Sequence, residues 1–293
     1  MHKYLRAIGF SNVKLKKELK PYIKETVMSP DKTEITENDG EDILVQIYKE
    51  YADGMGLMLC GLVNDEDEFE LEYCYPQFNG TGVTSKEDII VEQHADKESY
   101  AGVCEDVKVG VSLIFYLQNV CEYKNEKRLH PIKSVGVDTT LSALSLSGKI
   151  LFPIDKTENQ IKVTKEASKN RNHLIEAARK GDEDAIESLT LEDMDTYSMI
   201  SRRILKEDIL SLVDNYFMPY GVECDKYSIM GEIEDVSLVK NKSTQEEVYK
   251  LTVNTNELVF DVCINKIDLL GEPKAGRRFK GTIWLQGKIN YKQ

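Results

Sequence analysis

YSIMGEIEDVSLV, residues 227–239, is the stretch on which the reading of the fold turns. It carries the β-branched and apolar texture of a strand. The text after it repeats that texture at Val248–Val253, Leu258–Ile264, Phe279–Leu285 and Lys288–Tyr291, with turn residues between. Five short strands in the last seventy residues fit a small closed antiparallel barrel, OB-like or SH3-like.

Upstream of Cys224 the hydrophobic period is 3.6 rather than 2. Leu174, Ala177 and Ala178 share a face up to Gly181, and Asp182 is placed to cap a second helix carrying Ala185, Ile186 and Leu189. A third helix is read from Leu191 or Tyr197 to Phe217, closed by Pro219 and Gly221. Further back, Ser11 to Val27 reads as a helix that Pro21 interrupts or restarts. After it the period is two through Ile43–Ile47, Leu57–Leu59, Phe69–Tyr75, Val109–Leu117 and Leu144–Phe152. The first three segments read as an antiparallel meander with one wet face, and because all of them adjoin without the long crossovers that a parallel sheet needs, the first ~150 residues read as α+β rather than doubly wound. The fold class is therefore α+β, in three parts: an α+β domain over 1–162, a helical connector over 163–221 and a β-barrel over 222–293.

Charge narrows the function classes. The 293 residues carry a net charge of −13, and Asp31–Asp106 alone holds 21 acids against four bases. A surface that wraps nucleic acid throughout is excluded, because phosphate binding needs a positive face; a local basic face is not. No uncharged run exceeds the 13 residues of Val109–Cys121, short of the ~18 of a membrane span. No secretory signal pattern is present in the first twenty residues, so the expected location is cytoplasmic, with no membrane partner. The six cysteines are scattered and form no CxxC pair, so reduced thiols are expected and no zinc ribbon is spelled out.

Chemical motifs are sparse. Asn79–Lys86, NGTGVTSK, has neither P-loop nor dinucleotide spacing and reads as a connection between strands. His2, His94, His130 and His173 lie far apart, and Asp65–Glu68 reads as a solvated hairpin tip. Neither a metal site nor a cofactor is expected from these residues. The constellation that stands out is EPKAGRRFKGTIWLQGKI, residues 272–289, with Lys274, Arg277, Arg278, Lys280 and Trp284. On a strand, Phe279, Gly281 and Ile283 point inward while Arg278, Lys280, Thr282 and Trp284 point outward. Cations beside an exposed aromatic suit an oligonucleotide or another anionic ligand. The competing reading has Trp284 packed on the helical segment and the arginines paired with Glu207, Asp208 or Asp214. Exposure of these side chains decides between the two.

The strings MHKYLRAIGF, LTLEDMDTYSMISRRI, FMPYGVECDKYSIMGEI and INKIDLLGEPKAGRRFKGTIWLQGKI together resemble a protein family of clostridial gut bacteria known as a domain of unknown function. The resemblance spans nearly the whole chain. It implies a cytoplasmic bacterial protein and carries no catalytic residue across.

The expected function is that of a non-enzymatic binding or interaction protein whose barrel contacts an anionic ligand or oligonucleotide through Lys274, Arg277, Arg278, Lys280 and Trp284. The alternative is a hydrolase using carboxylates of the acidic sheet, among Glu70, Glu72, Asp88, Glu92 and Asp106, around a divalent ion. A homo-oligomeric scaffold is a further expectation, through the edge or face of the meander.

Overall fold

The computed structural model describes residues 2–37, 42–64, 68–93, 99–106, 108–109, 111–129, 138–154, 158–206 and 208–291. Asp65, Glu66 and Asp67 of the expected acidic tip, His94, His130 and Glu207 lie outside the described residues.

The chain opens with a 3-10 helix, Lys3–Ile8, ended by Gly9 in the left-handed region at φ 88°. Helix α1 (Lys16–Met28) follows, with Pro21 inside it; the Glu18 side chain accepts from the Lys14 and Leu15 amides and so caps its start. Strands β1 (Lys32–Glu37), β2 (Ile43–Ala52), β3 (Met55–Val63) and β4 (Phe69–Phe78) form an antiparallel sheet in which β2 to β4 are the expected meander and β1, from a polar stretch, is a strand the alternation did not announce. Next come β5 (Ile89–Gln93), β6 (Tyr100–Cys104), β7 (Leu113–Leu117), α2 (Val120–Leu129) and β8 (Asp138–Leu151). The helices are α3 (Glu158–Arg179), α4 (Glu183–Ile204) and the single turn α5 (Ile209–Leu212). As expected, Asp182 caps α4: its Oδ1 accepts from the Ala185 amide at 3.1 Å. The chain ends with β9 (Tyr216–Pro219), β10 (Lys226–Lys240), β11 (Glu247–Thr255), β12 (Leu258–Asn265), β13 (Leu269–Leu270) and β14 (Arg278–Asn290).

A closed five-stranded barrel is present, with a membership different from the one expected. Its ring runs β8-β12-β11-β10-β14 and back to β8. Phe279–Tyr291 is not two strands, since residues 278–290 run as one. The fifth strand is β8, from upstream of the helices, and it pairs with β14 from Asp138↔Asn290 to Leu151↔Arg278. Nor is the ring wholly antiparallel: β8 runs parallel to β12 through Asp261↔Ser142 to Ile264↔Ser145. The order β14-β10-β11-β12 is a Greek key, three consecutive strands with the fourth returning beside the first. Helices α3 and α4 are thus inserted between two barrel strands. Phe217, expected on a helical stripe, lies instead on β9 and pairs with Ile229.

Two cores follow from the alternation of β14. Phe279, Ile283 and Leu285 point into the barrel with Ile229, Leu251, Phe260 and Val262. Trp284 points the other way, into a second core where the 3-10 helix, β2 and β3 pack on the barrel wall at Leu144, Val248 and Cys263. The Asn79–Lys86 segment connects β4 to β5, and its Thr81 amide and hydroxyl both donate to the buried Asp261 carboxylate.

Candidate site at Trp284

The four cations and the one aromatic singled out above are not brought together on an open face. Trp284 is outward-facing on the barrel, as its parity requires, yet only 4% exposed. It is covered by segments remote in sequence rather than by the helices. The His2 ring lies 4.5 Å from it, Tyr4 5.3 Å and Tyr116 5.4 Å between centroids. Its indole Nε1 donates to Asp225 Oδ2 at 2.6 Å. Arg278 is 8% exposed. Its Nε donates to the Phe152 carbonyl at 3.0 Å and a terminal nitrogen to the Val213 carbonyl at 2.9 Å. Through these two bonds the guanidinium ties the two ends of the helical insertion to β14, and burial pulls its pKa below the ordinary value. Lys274 and Arg277 reach the same Glu272 carboxylate, at 3.1 and 3.9 Å, and Arg277 also donates to the Glu272 carbonyl. Lys280 lies over the Tyr216 ring at 5.9 Å.

A pocket of about 390 Å³ opens beside Trp284, lined also by His2, Lys3, Tyr4, Tyr116 and Lys226. Its aromatic floor is Trp284, Tyr4 and Tyr116, set by β14 and by β7, which pairs parallel to β14 through Gln286↔Tyr116. Lys226 is the cross-strand neighbour of Trp284 at the start of β10. Its ammonium pairs with Glu223. Burial pulls the Lys226 pKa down, but the hydrogen bond to Glu223 and the Glu223 and Asp225 charges outweigh that and leave it raised. Contact with Lys226 lowers the Lys3 pKa. Burial, aided by Lys226, lowers the His2 pKa from 6.5 to about 4, so its imidazole is neutral near pH 7. The site therefore offers two amines side by side next to a cluster of largely buried rings, Tyr4 and Tyr116 being tilted 30° and 58° to the indole, with a neutral imidazole and the Asp225 and Glu223 carboxylates at the rim.

A sequence model of a domain of unknown function, described from an E. rectale gene, matches residues 5–287. The chain belongs to the DUF3881 family. No curated protein and no solved structure matches it. The matched span includes every pocket residue except His2, Lys3 and Tyr4.

Sequence reading reached Trp284 but missed Lys3, Lys226 and His2. The signal for the first lay in the lysine-rich opening thirty residues, whose charge is +5. Lys226 carried no local signal, because its importance comes from its strand partner.

The carboxylates of the hydrolase reading stand apart. Glu70 and Glu72 are exposed on β4, Asp88 and Glu92 are exposed at β5, and Asp106 is buried, accepting from Ser85 Oγ at 2.8 Å and from the Lys108 amide. Among the described residues no group of three or more His, Cys, Asp or Glu side chains converges. The six cysteines are free thiols, four of them buried, and no helix of the described residues is long and apolar enough to cross a membrane.

Proposed function

We propose that the chain is a non-enzymatic binding protein that takes a small anionic ligand with a flat apolar body in the Trp284 pocket. The observation that carries this reading is the placement of Lys3 and Lys226 against each other at the mouth of an aromatic-floored recess. Two adjacent ammonium groups gain most from an anion between them, and the margins of the packed rings supply apolar contact. The Glu223 carboxylate, itself largely exposed, holds that position by an i,i+3 pair of the kind that contributes little and is readily displaced. The cationic contact thus moves from the row Lys274, Arg277, Arg278 and Lys280 to Lys3 and Lys226, with Trp284 kept.

The barrel is read as OB-like rather than SH3-like, on its Greek-key order. In that class the face of the second and third strands carries oligonucleotides. Here the corresponding outer wall of β11 and β12 is packed beneath the 3-10 helix: Val248 and Cys263 are buried with Leu5 and Ile8, and Asn241 donates to the Ile8 carbonyl. That cover, and a pocket volume at the small-molecule scale, favour a small ligand over a polymer.

Trp284 is the only tryptophan of the chain, so its emission reports on the pocket directly. Titration with a nucleoside monophosphate as the probe is expected to give a saturable emission change that weakens with added salt. Lys3→Ala is expected to weaken it about tenfold and Glu223→Gln to tighten it, while Arg277→Ala leaves it unchanged. No saturable change, or an affinity indifferent to Lys3→Ala, sinks the proposal; an oligonucleotide that binds where the monophosphate does not would restore the polymer reading.

A further inference from the structure

Helices α3 and α4 contain 44 residues, yet Ala185 is the only buried side chain among those described in them. Helices in water draw most of their stability from packing an apolar face, so a pair this poorly buried leaves packing surface unused. On α4 the partly buried residues Leu189 and Ile200 follow Ala185 at helical spacing and account for the face turned to α3. A second stripe, Ile186, Thr190, Met194, Tyr197 and Ser201, runs at intervals of four, four, three and four beside it. It is open to solvent: Ile186 is 47%, Met194 62% and Tyr197 75% exposed.

We infer that this stripe is the contact between two copies of the chain, with α4 of one packed antiparallel on α4 of the other about a twofold axis near Met194. The charge pattern selects the occupant. Helix α4 has Glu183, Asp184 and Glu187 near its start and Arg202 and Arg203 in its last turn. The two ends of such a helix are complementary to its own reverse, which is what an isologous interface requires, while of the acids beside Met194 two, Glu192 and Asp193, are paired with Arg171 of the same chain. With Met194 at the axis, Ile186 and Glu187 of one copy meet the Ser201–Arg202 end of the other, and Thr190 meets the Tyr197–Ser198 turn. Glu187 and Arg202 both lie on the same flank of the stripe, where antiparallel helices bring like positions together. Neither has an ion-pair partner within the chain among the described residues. A foreign helix of uniform charge would find one end of α4 attractive and the other repulsive.

Sedimentation velocity of the full chain over micromolar concentrations tests this. The expected species has twice the 33.4 kDa chain mass. Met194→Asp together with Tyr197→Asp is expected to give monomer with unchanged helical circular dichroism. Glu187→Arg alone and Arg202→Glu alone are each expected to weaken association about tenfold, and the two in one chain to restore it, because a twofold axis places each swapped residue beside the other's swap. If the aspartate pair unfolds the hairpin, the swap series still decides. Monomer at every concentration overturns the inference, as does a dimer that survives the aspartates or is not recovered by the double swap.

Discussion

Burying His2 between the Trp284 ring and the Lys226 ammonium ties its protonation to folding. Its pKa falls from 6.5 to about 4 in the folded chain, through burial first and Lys226 second. Above pH 6.5 both folded and unfolded chains carry the neutral ring. Between 6.5 and 4 the unfolded chain takes up the proton and the folded chain resists it, so stability falls with acid across that window, by roughly 2–3 kcal/mol. Urea midpoints at pH 7 and pH 4 should differ less in His2→Gln than in the natural chain; an equal difference would mean that the imidazole is not held neutral. At this scale the sequence was half legible. Alternation placed Phe279 and Ile283 inside the barrel and Trp284 outside it, and both are so. What it could not carry was the cover. His2 and Tyr4 reach Trp284 from the far end of the chain, and the carbonyls that hold Arg278 come from Phe152 and Val213. Outward therefore meant buried, because exposure is set by long-range packing and parity is not.

Strands β6, β7 and β14 meet around a single ring. Phe115 of β7 lies against Gly102 of β6 and Gly287 of β14: a Cβ on Gly102 would sit 2.2 Å from its Cζ and one on Gly287 2.4 Å from its Cδ2. Both glycines make room for the aromatic, and neither adopts a left-handed backbone. Gly102→Ala is expected to cost about 2 kcal/mol by overpacking, and Phe115→Leu in the same chain to relieve a good part of it. Thermal denaturation of the two single variants and the double one checks this, and strict additivity would refute it. Elements with strong local signals were readable: the meander by its period of two, α4 by its Asp182 cap. Those defined by a distant partner were not. Tyr216–Pro219 continues the apolar spacing of the preceding helix and becomes β9 only because β10 offers an edge. Similarly, β8 carried a strand pattern but no sign that its ladder lies more than a hundred residues downstream.

Across the whole molecule the helices are an insertion rather than a link between finished parts. Lys149, Lys280, Met230 and Tyr216 are successive neighbours on β8, β14, β10 and β9. At ~4.8 Å per strand, the chain leaves the barrel and re-enters it about 14 Å apart on the same end. Replacing residues 156–212 by a Gly/Ser linker of about five to seven residues should therefore span the gap and keep a cooperative barrel, since extended chain covers ~3.3 Å per residue. Urea unfolding followed by Trp284 emission would show a single transition of similar midpoint; a loss of cooperativity would make the helices part of the barrel's foundation.

The ladder between β8 and β14 also sets the order in which the chain can mature on the ribosome. When Asp138–Leu151 leaves the exit tunnel, none of its three strand partners exists: Leu258–Asn265, Leu269–Leu270 and Arg278–Asn290 have still to be translated. For the whole of that interval a strand rich in buried side chains waits with only the Ser85 bridge at Thr139 open to it, the state most open to wrong pairing and to chaperone capture. Closure waits for Arg278–Asn290, so any truncation before Arg278 leaves β8 without its longest partner however complete the rest of the protein is.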